Sequence, residues 1–151
     1  MFFSNDMKDL INLFRKHDVK YALVGGFAVN YYGYARTTQD IDFLLYPSKQ
    51  NAKKIMNALT DFGFGKAGIP QKYFEESGNA IHLGAEPNRI DLLTHLVGIS
   101  NDKIFANLQQ INFEGIDINI IAYSDLLEAK QKSKRLRDQA DAEELKNKRN
   151  K

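Results

Sequence analysis

The chain of 151 residues contains no cysteine. Disulfide bonds, thiolate nucleophiles and zinc sites built on cysteine are therefore excluded. It also has no apolar run long enough to span a bilayer, and its first residues have neither the basic region nor the apolar stretch of a signal peptide. We expect a cytoplasmic protein with no membrane partner. Its formal net charge of +2 is too small to indicate a nucleic-acid partner by itself.

The length and the apolar and charged fractions are those of one ordinary globular domain. Helical spacing and short apolar runs predict the order helix, strand, helix, strand, helix, several strands, helix. This order is typical of an α+β domain with helices packed on a mixed sheet. We expect a core over about 20–122 and one long, highly charged C-terminal helix over about 124–148. The predicted strands are 21–24, 40–46, 80–83, 89–93, 110–113 and 116–122.

Two acidic side chains, Asp40 and Asp42, lie within the second predicted strand. Side chains alternate faces along a strand, so both carboxylates point to one side while Ile41 and Phe43 point to the other. Two carboxylates on one face repel each other, and a divalent cation such as Mg²⁺ would stabilise them there. In the alternative interpretation, Asp40 and Asp42 bind no metal: they mark the start of the strand and a charge on an edge strand.

A third acid, Asp91, is isolated within the apolar strand predicted over 89–93. It is the best candidate for a third carboxylate contributed by a neighbouring strand, although a single acid in a strand can also be a satisfied polar residue. If residues 85–88 form a hairpin loop, His82 lies directly opposite Asp91. A local hydrogen bond is the simpler interpretation of that histidine.

A glycine pair, Gly25-Gly26, separates the first predicted strand from a helix. Glycines allow positive φ and close backbone approach, and the start of a helix can accept phosphate oxygens. The same pair also fits an ordinary tight turn. Further along, the guanidinium of Arg36 can bind phosphate oxygens. The alternatives are a surface charge and an ion pair with Asp40. Thr38 can hydrogen-bond the segment ahead of the carboxylates or cap a turn.

These motifs together resemble a known signature. Val24-Gly25-Gly26, then thirteen residues, then Asp40-Ile41-Asp42-Phe43 is similar to the pattern of the nucleotidyltransferase superfamily related to DNA polymerase β. The fuller pattern, with Ala28, Gly33, Arg36 and Thr38, looks most like two branches. These are the aminoglycoside and lincosamide nucleotidyltransferases and the bacterial abortive-infection toxin-type nucleotidyltransferases.

The resemblance implies a polymerase β-like core in which Asp40, Asp42 and Asp91 bind one or two Mg²⁺ ions. It implies that Gly25 and Gly26 contact the nucleotide phosphates, and that Asp91 ligates metal or takes a proton from the acceptor. Family members often end with a lysine and an Arg-x-Lys-Asp-type segment on a helix. Lys130 and Arg135-Leu136-Arg137-Asp138 look similar, which gives Lys130 a possible role at the triphosphate; a solvated charged helix is the alternative.

The activity we expect is Mg²⁺-dependent transfer of a nucleoside monophosphate from an NTP, such as ATP, to an acceptor hydroxyl with release of pyrophosphate. The acceptor is open between a small molecule such as an antibiotic, a protein side chain and a tRNA end. A toxin-type enzyme would require an antitoxin-type partner, and the C-terminal helix leaves a homo-oligomer possible. The alternative from another class is a catalytically silent nucleotide-binding module that contacts a partner protein.

Overall fold

The computed structural model of the protein describes residues 3–33, 38–85 and 87–149. Within these residues a mixed β-sheet carries the helices, as the sequence predicted. The helices are α1 (Asn5–Lys16), α2 (Gly25–Tyr31), α3 (Lys49–Leu59), α4 (Asn101–Ala106), α5 (Tyr123–Lys132) and α6 (Leu136–Arg149). The strands are β1 (Tyr21–Val24), β2 (Ile41–Leu45), β3 (Ala80–Leu83), β4 (Ile90–Leu93), β5 (Gln109–Phe113) and β6 (Ile116–Ile120).

The six strands are arranged in the order β3-β4-β2-β1-β6-β5. Three neighbouring pairs, β1–β2, β3–β4 and β5–β6, are antiparallel. The pairs β2–β4 and β1–β6 are parallel. Antiparallel pairs connected along the chain are therefore joined side by side through parallel contacts, which is the mixed sheet of an α+β domain.

The core forms where apolar helix faces meet the central strands. Helix α1 is capped by the Ser4 hydroxyl, which accepts a hydrogen bond from the Met7 amide at 3.2 Å. Its buried stripe ends at Phe14, whose ring centroid lies 5.3 Å from that of Tyr21 and 5.4 Å from that of Phe43. This packing holds β1 and β2 in place beneath α1, and these are the strands that lead into the candidate site.

The prediction of one C-terminal helix over 124–148 is wrong. The chain forms α5 and α6, separated at Ser133, whose backbone is extended with φ −73° and ψ 144°. The Ser133 hydroxyl donates to Asp138 Oδ2 at 2.7 Å and accepts from the Arg135 amide at 3.1 Å. These local side-chain bonds compete with helical backbone bonds, so Lys130 and the segment Arg135–Asp138 do not lie on one continuous helix.

Smaller differences lie elsewhere. Strand β2 begins at Ile41, so Asp40 immediately precedes it. The glycine-rich stretch after α3 contains a π-helical turn, Thr60–Phe64, and a 3₁₀ turn, Gln71–Phe74. Among the described residues, no helix is both long enough and apolar enough to cross a bilayer.

Candidate active site

Strand register brings two of the three predicted acids, Asp42 and Asp91, side by side. In the parallel pair β2–β4, Asp42 is the partner of Asp91, and in the antiparallel pair β1–β2, Val24 is the partner of Asp42. The carboxyl groups of Asp42 and Asp91 lie within hydrogen-bonding reach of each other. Asp40 precedes Asp42 by two residues and is linked to Asp91 by Arg89, which contacts both carboxylates. We call Asp40, Asp42 and Asp91 the acid group.

Arg89 lies between two members of the acid group. Its Nε donates to Asp91 Oδ1 at 2.8 Å, and its Nη2 donates to Asp91 Oδ2 at 3.1 Å. The same Nη2 is 3.4 Å from Asp40 Oδ2. No role for Arg89 was predicted from the sequence. The signal was present, because residues two apart along a strand share a face and Arg89 precedes Asp91 by two.

His82 also contacts the acid group. Its Nδ1 lies 2.6 Å from Asp91 Oδ1, and β3 pairs with β4 so that His82 is directly opposite Asp91. The predicted hairpin register is therefore confirmed. More than half of the His82 side chain is exposed, whereas the Asp91 side chain is 8 % exposed. Asp91 is thus a buried carboxylate held between an arginine and a histidine.

The acid group contains two carboxyls with opposite pKa shifts. Burial, and then the charge and hydrogen bond of Asp91, raise the pKa of Asp42 to about 7. Burial also acts to raise the pKa of Asp91, but hydrogen bonds from Arg89 and His82 outweigh it and lower that pKa below its usual value. Without a further cation, the Asp42 carboxyl is therefore the member that resists ionisation.

Gly25 is required by the packing of Asp42. Its φ is +67°, and a Cβ built there would lie 2.8 Å from Asp42 Cγ and closer still to Oδ2. Only glycine therefore lets the Asp42 carboxylate rest on the start of α2. Gly26 follows as a buried helical residue. Contact of this glycine pair with phosphates stays a prediction.

Two members of the acid group, Asp42 and Asp91, line a cavity of about 630 Å³. One part of its wall is acidic and includes Asp42 and Asp91, and another part is basic. The basic side chains lining it are Arg89, Lys130, Lys132, Lys134 and Arg135. The rest of the wall is largely apolar, from Leu93, Leu96, Val97, Leu126 and Ala129. The cavity thus combines carboxylates, cations and apolar surface around one space.

Lys130 lines this cavity, but its ammonium group is engaged in ion pairs. Nζ lies 2.8 Å from Asp138 Oδ1 and 3.2 Å from Asp141 Oδ2, and the side chain is only 11 % exposed. Arg135 Nε and the Ser133 hydroxyl also bind Asp138, at 2.9 Å and 2.7 Å. We call these five residues the ion-pair cluster. Contact of Lys130 with a triphosphate stays a prediction. It would require the ammonium group to bind phosphate in addition to Asp138 and Asp141.

The two remaining predicted residues lie between α2 and β2. Arg36 falls outside the described residues. Thr38 donates from Oγ1 to the backbone carbonyl of Asp40 at 3.2 Å. This bond is one of the two alternatives that the sequence left open for Thr38, and it positions the backbone from which the first acid projects.

The donor chemistry of the acid group suits a hard cation, since carboxylate oxygens are the ligands that Mg²⁺ prefers. Asp40 Oδ1 is buried and accepts no hydrogen bond from the described part of the chain. Among those same residues, however, no three His, Asp or Glu side chains are gathered closely enough to hold a metal ion. In this conformation Asp40 and Asp91 are paired with Arg89 instead.

No protein-family model and no curated protein matches this chain. Several solved structures resemble it, and two of them are described here. One is the lincosamide antibiotic adenylyltransferase LnuA bound to lincomycin, with a TM-score of 0.58, 18% identity and coverage of 95% of this chain and 97% of that one. The other is an antigenic nucleotidyltransferase-like protein from Paracoccidioides brasiliensis, with a TM-score of 0.58, 13% identity and coverage of 97% and 77%. The chain therefore has the nucleotidyltransferase fold, as its motifs implied.

Proposed function

We propose that this protein is a metal-dependent nucleotidyltransferase that moves a nucleoside monophosphate from an NTP to an acceptor hydroxyl. The observation that carries the proposal is the acid group: on a nucleotidyltransferase fold, strand register brings Asp42 and Asp91 together at a cavity that also has a basic wall. A buried, mutually repelling set of carboxylates is costly unless a cation compensates it.

In this proposal Asp40, Asp42 and Asp91 would hold Mg²⁺, and the ion would supply positive charge to compensate the phosphates during displacement at the α-phosphorus. The acceptor oxygen forms a bond to that phosphorus, the bond to the bridging oxygen breaks, and pyrophosphate leaves. The hydroxyl proton passes to a carboxylate of the acid group. Lys134 and Arg135, on the basic wall, would bind the departing pyrophosphate by charge.

For the donor we propose ATP, and for the acceptor a small hydroxyl-bearing molecule. LnuA, which its printed description calls an adenylyltransferase bound to lincomycin, is covered over 97% of its length by this chain. A cavity of about 630 Å³ lies within the range of small-molecule sites, and its apolar wall suits the body of such an acceptor. Cytoplasmic location, a homo-oligomer and an antitoxin-type partner stay predictions from the sequence.

One observation favours a second candidate, the catalytically silent nucleotide-binding module. Arg89 already pairs with Asp40 and Asp91, and a permanent pair would leave the acid group unable to take a cation. Such a module would bind nucleotides through the basic wall and release no pyrophosphate.

The deciding experiment supplies each of the four α-³²P-labelled NTPs with Mg²⁺ and one acceptor fraction at a time: lincomycin, a small-molecule extract, tRNA, or total protein. We expect labelled small molecules and released pyrophosphate, with ATP as the best donor. Asp42→Asn serves as the inactive variant, and Asp117→Asn, a β6 acid outside the cavity lining, is the matched control. Nucleotide binding without pyrophosphate release from any NTP would instead establish the silent module.

A further inference from the structure

Arg89 occupies the point where two carboxylates of the acid group converge. Its Nη2 is within 3.1 Å of Asp91 Oδ2 and 3.4 Å of Asp40 Oδ2, and its Nε holds the other oxygen of Asp91 at 2.8 Å. One guanidinium thus bridges a side chain of β4 and the side chain of the residue just before β2. A bridge between carboxylates is the arrangement that a bound divalent cation also provides.

The charge of Arg89 is permanent, because a guanidinium is not deprotonated in proteins. A divalent cation approaching Asp40 and Asp91 must therefore displace a fixed positive charge and its hydrogen bonds. The displaced Arg89 guanidinium would still have access to solvent. The Arg89 side chain is 32 % exposed and lines the same cavity as the acids, so it has solvent and open space on one side.

A guanidinium released from carboxylates has a second suitable partner in this cavity under the proposed function. The planar fork that matches a carboxylate also matches phosphate oxygens. A nucleotide that brings both a cation and phosphates can compensate the acids and receive Arg89 at the same time. A free cation can do only the first of these, and it would leave Arg89 beside another positive charge.

We propose that Arg89 is a built-in counter-ion of the acid group, which it releases to the polyphosphate when a metal–nucleotide complex binds. This proposal rests on the proposed function and adds an order to it: the protein discriminates against free divalent cations and takes up metal together with nucleotide. Arg89 is then a binding residue for phosphate as well as a gate on the acid group.

The test measures two affinities in wild type and Arg89→Gln. Free Mn²⁺ binding is followed by the electron paramagnetic resonance signal of unbound Mn²⁺, and binding of the Mg²⁺ complex of α,β-methylene ATP by calorimetry. We expect Arg89→Gln to bind Mn²⁺ about tenfold tighter or more, and the nucleotide complex about tenfold weaker, since removing one charge has opposite effects on a cation and an anion.

Lys132→Met is the matched control. Lys132 also lines the cavity, but its ammonium group binds the Gly98 carbonyl at 2.9 Å and Glu128 at 3.6 Å rather than the acid group. The Lys132→Met variant tests for a general effect of cavity charge. We expect less than about a threefold change in its Mn²⁺ affinity, because the Lys132 side chain is exposed to solvent and its charge is screened by salt. Circular dichroism and thermal melting confirm that each variant is folded.

Unchanged or weaker Mn²⁺ binding by folded Arg89→Gln overturns the proposal, as does an equal gain in Lys132→Met. If Arg89→Gln does not fold, Arg89→Lys decides: an ammonium on a shorter side chain cannot reproduce the paired bonds of the guanidinium to both oxygens of Asp91, so we expect about threefold tighter Mn²⁺ binding, and no gain refutes the inference. Equal Mn²⁺ binding by all variants with normal pyrophosphate release refutes this inference alone. Absence of Mn²⁺ binding in every variant refutes the metal-dependent function as well.

Discussion

Two regions of this protein hold carboxylates away from bulk water, and they balance charge differently. In the ion-pair cluster, Asp138 and Asp141 face Lys130 and Arg135, with the Ser133 hydroxyl adding a further donor. In the acid group, Asp42 has another carboxyl, Asp91, as its close neighbour, while Arg89 is bound to Asp91 and Asp40. The cluster joins α5 to α6; the acid group joins β2 to β4.

The pKa values follow this difference. Burial acts to raise the pKa of Asp138, but hydrogen bonds from Arg135, Lys130 and Ser133 outweigh it and hold that pKa well below its usual range. At Asp42, burial and the nearby Asp91 act together and raise the pKa to about 7. Buried carboxylates paired with cations, as in the ion-pair cluster, are typical of a structural role. A buried carboxyl beside another acid, as in the acid group, is typical of a candidate functional site.

The strongest way to test this contrast is Asp42→Asn. We expect pyrophosphate release to fall at least about 1,000-fold, because several kcal/mol of transition-state charge stabilisation depend on the acid group. The fold should persist, since the amide is isosteric and relieves repulsion with Asp91. Activity and circular dichroism are measured together, with Asp117→Asn as the control. Normal turnover, or loss of the folded state, would contradict the assignment of Asp42 as a ligand.

The opposite outcome is expected in the ion-pair cluster. Lys130→Met should lower the free energy of unfolding by about 2–4 kcal/mol, because it leaves Asp138 and Asp141 buried without their lysine. Urea denaturation measures the change. Lys103→Met is the matched control: its pair with Glu128 at 3.0 Å is solvent-exposed, and its loss should change the free energy of unfolding far less. Equal losses in both variants would show that the cluster is not structural.

A smaller effect should separate two glycines that share a left-handed backbone. Gly25→Ala places a methyl group against the Asp42 carboxylate at φ +67°, whereas Gly115→Ala, at φ +81°, meets nothing within 4 Å. We expect destabilisation of about 2–3 kcal/mol for Gly25→Ala and about 1 kcal/mol for Gly115→Ala, since the second has backbone strain alone. Thermal unfolding checks the difference. In Gly25→Ala/Asp42→Ala the difference should largely disappear; if it persists, the close approach to Asp42 is not its cause.

The smallest effect is a pH dependence. The pKa of Asp42 is about 7 in the folded protein and 3.8 ordinarily, so the folded state binds a proton that the unfolded state releases. The Asp42 contribution to stability is therefore full below about pH 4 and is lost as pH rises through 7. The side chain of Asp42→Asn stays neutral at every pH. The free energy of unfolding of this variant should therefore rise by about 1–3 kcal/mol relative to that of wild type as the pH goes from 5 to 8. Urea denaturation at each pH measures this gain.

The lowered pKa of Asp91 has the opposite sign: it stabilises above the ordinary carboxyl pKa, and this contribution is lost only in acid. It therefore does not mask the effect of Asp42 between pH 5 and pH 8. Parallel stability curves for wild type and Asp42→Asn over that range would mean that Asp42 ionises normally in the folded protein.

Local periodicity was sufficient for much of this fold. The first predicted helix is α1, whose buried residues Met7, Leu10, Ile11 and Phe14 recur at helical spacing, and the short apolar run at Tyr21–Val24 predicted β1. The pairing of His82 with Asp91 followed from strand alternation once a hairpin was assumed. Periodicity failed at Ser133, where the side-chain bonds of a few residues overrode a continuous helical pattern.

The sequence by itself determined the α+β order of elements and, through the resemblance of its motifs, the nucleotidyltransferase fold, and it singled out Asp40, Asp42 and Asp91 as candidate site residues, because periodicity and motif spacing are properties of short segments. Only the tertiary structure decided which cations these acids meet. Arg89 reaches Asp40 across a strand boundary, and Lys130 is bound to Asp138 and Asp141 on the next helix. Charge partners depend on distances between segments that are remote in the chain or turned by a loop, and no local pattern encodes those distances.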